Sequence, residues 1–227
     1  LLAMAVMLAL PPLLARERIG WGGAIWTFLA YFVFIGAGYI LVQVALVQKF
    51  VLLLGRPATA LSVIIFSMLV ATGLGSYFSR RLAGEEGQRL HRLLAAVIAL
   101  IFLLAALAGW LSAAPVAWPS PLKVLVTVLT VAPAAFLMGV AFPCGLAQLE
   151  RRRPAAVRWA WTLNAAASVL GSVGAVALGL YAGLRETLLI GGLMYAGACG
   201  MARRWRAIMP VSSGALSHAA AGSDVAH

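Results

Sequence analysis

Apolar stretches as long as a bilayer is thick follow one another along almost the whole chain, and they decide what it can fold into. A hydrocarbon core of about 30 Å is crossed by a helix of about 20 apolar residues rising 1.5 Å each. Ala24–Val47, Pro57–Phe78, Leu93–Leu111, Leu122–Leu149, Trp159–Ala182 and Thr187–Ala202 reach that length or come near it, the last being the shortest. The opening run Leu1–Leu14 is shorter still and reads as a truncated helix. No basic stretch precedes it, which argues against a signal peptide. The expected fold is all-α, a polytopic transmembrane bundle of about six or seven helices over residues 1–206. Residues 207–227 form a Ser-, Ala- and Gly-rich tail with too little bulky apolar content to fold.

Composition agrees with lipid as the solvent. Hydrophobic residues make up 63% of the chain and charged ones 10%, whereas soluble domains are about 25% charged. The net charge of +11 would suggest nucleic acid in a soluble chain. Here the basic residues sit in clusters between the apolar runs, and no stacking or base-reading module accompanies them, so nucleic acid is not expected as a partner and the lipid bilayer is. If the runs cross in alternation, one side carries Arg16 and Arg18; Arg80, Arg81, Arg89 and Arg92; Arg151, Arg152, Arg153 and Arg158; and Arg203, Arg204 and Arg206. The other side carries only Lys49, Arg56, Lys123 and Arg185. Basic loops stay in the cytoplasm, so the Arg-rich loops and the C-terminus are expected there. Trp110 and Trp118, around an outer turn, and Trp159 and Trp161, beside Arg158, stand where amphipathic indoles favour the headgroup level.

Chemistry-bearing residues are sparse. Cys144 and Cys199 lie inside apolar segments and read as small hydrophobes. His91, His218 and His227 are scattered and suggest no metal site. No Asp, Glu or His lies in the middle of any segment, which disfavours a proton-coupled carrier made of this chain alone. No catalytic motif is visible, and no cofactor is expected in this stretch.

Packing signals are clearer. Ala167, Gly171, Ala175 and Gly179 recur every four residues, with Asn164, Ser168 and Ser172 as a polar stripe beside them; Gly192, Ala196 and Gly200 repeat the device. Small residues at this spacing let helix backbones approach closely. These last two segments are therefore expected to form a tight hairpin around Gly183. Pro133 and Pro143 each remove a backbone donor and are expected to kink their helix, either as packing or, as in broken transporter helices, at a site. Gln43, Gln48 and Lys49 interrupt an apolar stretch that resumes at Phe50, so a break or a short interfacial helix is expected near Lys49. Gln43 is either interhelical glue or a substrate contact.

Two stretches are more specific. One runs from Gly38 through Gln43, Gln48 and Lys49 to Gly55-Arg56-Pro57, then on to Gly73, Gly75 and Arg80-Arg81. The other runs from Met138 through Phe142-Pro143-Cys144-Gly145 to Leu146, followed by Trp159 to Ser172. Together they resemble the C-terminal membrane portion of bacterial membrane-embedded spermidine synthase-like proteins, itself distantly similar to the major facilitator superfamily. The resemblance implies a location in the bacterial inner membrane and further segments of a parent protein upstream. It also implies a soluble aminopropyltransferase-like domain there that uses a decarboxylated adenosylmethionine-type donor. No catalytic residue carries over. The matched positions are Gln48, Lys49, Gly55, Pro57, Gly73, Gly75, Pro143, Gly145, Trp161, Asn164, Ser168 and Gly171. Members of that family often carry Glu where this chain has Gln43, an amide that offers no charge to a cation. The resemblance implies a non-catalytic domain that anchors its parent and passes a polyamine-type substrate, with Gln43, Gln48, Lys49, Asn164 and Ser168 as candidate contacts. The alternative is a facilitator-like transport module for a small amine or other solute.

Overall fold

A computed structural model of the protein describes residues 23–84, 89–112 and 118–208; the run Leu1–Leu14 and the tail from 209 onward lie outside them. Six α-helices account for nearly all the described residues, and none of these residues is in a strand. They are α1 (Gly23–Leu54), α2 (Pro57–Ala83), α3 (Leu90–Ser112), α4 (Ser120–Arg152), α5 (Val157–Tyr181) and α6 (Leu184–Ile208), with a 3-10 turn at Pro154–Ala156 before α5.

The boundaries follow from local chemistry. Helix α1 ends where the Gly55 N–H bonds the Val51 carbonyl at 2.8 Å and Gly55 turns to φ +78°, a conformation that costs glycine nothing. Pro57 then begins α2, where its missing donor has no helical partner to lose. Gly183, at φ +110°, makes the turn into α6, and Thr187 donates its hydroxyl to the Gly183 carbonyl at 2.8 Å.

Helix α1 does not break at Lys49 as expected but continues for 32 residues. Leu46, Phe50 and Leu53 are buried on one stripe across the polar interruption, so packing holds the helix together there. Gln48 and Lys49 remain half-buried.

Helix α1 is the hub. Phe28, Phe32, Ile35, Val42, Leu46 and Phe50 form its share of the core. Helix α6 runs antiparallel to it, with Phe34 against Gly197, Gly38 against Met194 and Tyr195, and Val42 against Gly191. Helix α5 runs parallel to it, with Gly36 against Asn164 and Ser168, Ala37 and Ile40 against Gly171, and Gln48 beside Gly179. Helices α5 and α6 barely touch each other, because each packs on α1. The expected tight hairpin is therefore absent: Gly183 makes its turn and Gly179 beside it meets Leu184 of α6, but Gly171 and Gly192 farther along serve contacts with other helices. Gly171 and Ala175 are buried on α5, Gly192 faces Ile101 and Phe102 of α3, and Gly200 has nothing within contact distance, so Gly200 is not a packing position.

The second large contact is between α2 and α4, which run parallel. A side-chain carbon on Gly75 would overlap the Phe136 carbonyl, and one on Gly139 would overlap the Thr72 backbone. The two backbones touch, as glycine permits between helices. Both Pro133 and Pro143 lie inside α4, which is one continuous helix of 33 residues.

The outside of the bundle is apolar as well as its core. Large apolar side chains point outward on α2 (Phe66, 72% exposed), α4 (Leu129, 64%) and α5 (Leu180, 78%). Hydroxyls on the helices return to their own backbones, as with Ser67 to Val63 (2.6 Å), Thr72 to Met68 (2.7 Å) and Thr130 to Val126 (2.6 Å), which removes their need for water. Among the described residues, five helices, α1 to α5, are long and apolar enough to cross a membrane. Charges at both ends of α6, Arg185 and Glu186 at one and Arg203, Arg204 and Arg206 at the other, shorten its apolar run. The chain is a multi-pass membrane protein whose helices form an all-α bundle.

Candidate functional site

The motif Phe142-Pro143-Cys144-Gly145 is where α4 meets most of its neighbours. The Phe142 ring packs edge-on against Phe32 of α1 at 5.4 Å and Trp161 of α5 at 4.6 Å. Cys144 Sγ lies 3.6 Å from the Ser79 carbonyl of α2 and donates to it. Gly145 leaves room for the Tyr31 ring, which a side-chain carbon there would strike. Tyr31 then donates its hydroxyl to the Ala141 carbonyl at 2.7 Å. Between them Phe142, Cys144 and Gly145 touch α1, α2 and α5, and the motif reads as a docking point for helices.

The expected contact residues do not converge. Asn164 and Ser168 sit together against Gly36, and the Ser168 hydroxyl donates to the Asn164 carbonyl at 2.8 Å and to the Gly36 carbonyl at 3.3 Å. Gln43 lies two helical turns along α1 from Gly36, about 10 Å at 1.5 Å per residue. Gln48 is farther still, with its amide oxygen beside Gly179, and Lys49 follows near the end of α1. These five residues do not surround one site; Ser168 alone among them hydrogen-bonds from α5 to α1.

Chemistry converges elsewhere, at the Arg-bearing ends of α2 and α4. Beyond their close crossing, the two helices leave a cleft of about 910 Å³. Ser79, Arg80 and Arg81 of α2 face Pro143, Gln148 and Arg151 of α4 across it, with Cys144 and Glu150 also in its wall. Three guanidinium groups thus stand against one carboxylate. Arg80, Arg81, Glu150 and Arg151 are exposed, and Arg81 reaches back over the Phe78 ring, 6.0 Å from its centre.

Gln148 is the unusual member. It is only 6% exposed, and its side-chain oxygen accepts a hydrogen bond of 3.1 Å from the Trp205 indole of α6. An indole N–H can only donate, so this contact fixes which end of the amide is oxygen. The remaining amide nitrogen, Nε2, is buried with no hydrogen-bond partner among the described residues. A buried donor left unmatched costs about 1–3 kcal/mol. Trp205 is itself fully buried, stacked on Phe28 at 4.2 Å and edge-on to Tyr31 at 4.9 Å, so the amide has a rigid support.

Gln148 and Trp205 were not among the residues singled out from sequence. Ala141, Cys144, Gln148 and Arg152 fall at helical spacing, so an amide on a buried face was visible in principle. Trp205 was hidden by its neighbours Arg204 and Arg206. Comparison with family models, curated proteins and solved structures finds no match to this chain.

Proposed function

We propose that this chain is the non-catalytic membrane domain of a spermidine synthase-like protein, holding its parent in the bacterial inner membrane with the Arg-rich loops in the cytoplasm. The observation that supports this most is how the motifs carrying the resemblance are used. Gly75, Gly145 and Gly171 are approached closely by neighbouring helices, while Asn164 lies against Gly36 and the Ser168 hydroxyl reaches the Gly36 carbonyl of α1. A chain whose polar membrane residues serve packing is suited to anchoring, and the one-sided arginines suit a cytoplasmic orientation.

The anchoring role predicts that the gene's reading frame extends upstream of Leu1. It should encode an α/β donor-binding domain, and deleting residues 23–208 from that full-length protein should move donor binding from the membrane to the soluble fraction. An upstream frame that encodes no such domain overturns the reading.

A second reading, a facilitator-like transport module, is favoured by the cleft that Pro143 lines. It predicts uptake of spermidine or another small amine into proteoliposomes, lost in Gln43→Leu and Asn164→Leu variants that still fold. Under the anchoring reading, uptake equals that of protein-free liposomes.

A further inference from the structure

We propose that the cleft between the Arg-bearing ends of α2 and α4 binds a phosphate-type oxyanion, carried by a lipid headgroup or by a free phosphorylated solute. Arg80, Arg81 and Arg151 supply the charge and the Gln148 amide nitrogen a directional donor. This stands apart from the anchoring role and does not depend on the resemblance.

The charge in the cleft selects the sign of the ligand. Arg80 and Arg81 of α2 and Arg151 of α4 line the opening, with Glu150 as the one carboxylate in its wall, and three full positive charges outweigh that carboxylate and the partial negative charge of the two helix ends. A polyamine would be repelled here. An anion gains from every arginine, and the planar guanidinium fork matches two oxygens of a phosphate at once.

The second observation is the amide. Trp205 holds the Gln148 oxygen, which leaves the nitrogen as a donor without an acceptor among the described residues, on a side chain that forms part of the cleft wall. The nitrogen has no surface of its own open to the cleft, so an oxyanion drawn in by the arginines meets it once the Gln148 side chain turns toward the opening. Beyond the glycine crossing at Gly75 and Gly139, Cys144 still meets the Ser79 carbonyl, and these two residues form the cleft's inner wall, with the arginines on its charged side. The site is therefore at the level of lipid headgroups, where arginines reach out of the hydrocarbon, and a phosphate can enter from the leaflet or from water.

The test uses the full chain in neutral detergent micelles, with thermal unfolding followed against two probes. One is sodium phosphate compared with sodium chloride at equal ionic strength; the other is short-chain dioctanoyl phosphatidic acid compared with dioctanoyl glycerol. A ligand that binds the folded state raises the melting temperature in proportion to its occupancy. The expected result is a saturable rise with at least one phosphate probe. Arg80→Gln and Arg151→Gln should each raise the half-saturating concentration at least tenfold. Gln148→Glu should abolish the rise while keeping an acceptor for Trp205. The control is Arg203→Gln with Arg204→Gln, which removes exposed charge from the same end of the bundle outside the cleft wall. A rise with phosphatidic acid alone assigns the site to a headgroup, and a rise with both probes assigns it to any phosphate; either supports the proposal. No rise with either probe overturns it. So does a control that weakens binding as much as the cleft variants do, because the effect would then be general attraction to a basic surface. Should Gln148→Glu fail to fold, the two arginine variants measured against the control decide the question alone.

Discussion

Replacing Gly75 with leucine is expected to unfold the bundle, or to lower its melting temperature in detergent by 10 °C or more on the order-of-magnitude scale for a destabilisation of about 3 kcal/mol. Gly73→Leu, two residues away on the same helix, is expected to leave the melting temperature within about 2 °C of the parent, as for an ordinary surface change. Any side-chain carbon at Gly75 would overlap the carbonyl of Phe136. Backbone cannot swing aside as a flexible side chain can, so α2 and α4 must separate along their whole shared face. Close backbone approach is the main attraction available to helices whose surroundings are as apolar as they are. At Gly73 the same carbon meets nothing within 4 Å, and the new leucine lies in the tails beside Leu69 and Leu74. Equal melting temperatures for the two variants would mean that α2 and α4 do not cross at Gly75.

The second large effect is expected at Trp205. Trp205→Ala removes a fully buried indole that stacks on Phe28 and meets Tyr31, and should cost about 3–5 kcal/mol, the range for losing a large aromatic from a packed core. Trp205→Phe keeps most of the ring but takes away the N–H that Gln148 accepts, stranding that oxygen for about 1–3 kcal/mol. Adding Gln148→Leu to Trp205→Phe removes both polar partners together, so the double variant should be at least as stable as Trp205→Phe alone. Chemical or thermal unfolding in micelles measures all three. A double variant less stable than Trp205→Phe would show that the indole and the amide are not paired.

How much of this was legible in the sequence depended on what each signal encodes. Run length and the alternation of arginines encode solvent and crossing, and they led directly to an all-α bundle. Lys49 was a misleading boundary: a composition change reads as a break, but Leu46, Phe50 and Leu53 carry the same buried stripe through it. Small residues four apart encode that a backbone will come close, not which one. Hence Gly171 and Gly192 were recognised as packing positions, yet their partners are α1 and α3, not each other's helices, and Gly200 has none. Polarity inside a membrane is unusual and so draws attention to a residue, but it does not separate a ligand contact from a side chain such as Ser168, whose hydroxyl is satisfied within and between helices. The cleft was the hardest to see. Arg80, Arg81 and Arg151 were explained by topology alone, and only the splay of α2 from α4 brings them to one opening beside Gln148.

Hydrocarbon must cover the outward-facing side chains of α2, α4 and α5 for this bundle to be stable. The direct measurement is to express the chain, wash the membranes with alkaline carbonate and extract the pellet with and without detergent. The protein should stay in the washed pellet and become monodisperse only in detergent micelles. Release into the carbonate wash, followed by a single stable species in detergent-free buffer, would contradict the account, because Phe66, Leu129 and Leu180 would then be facing water.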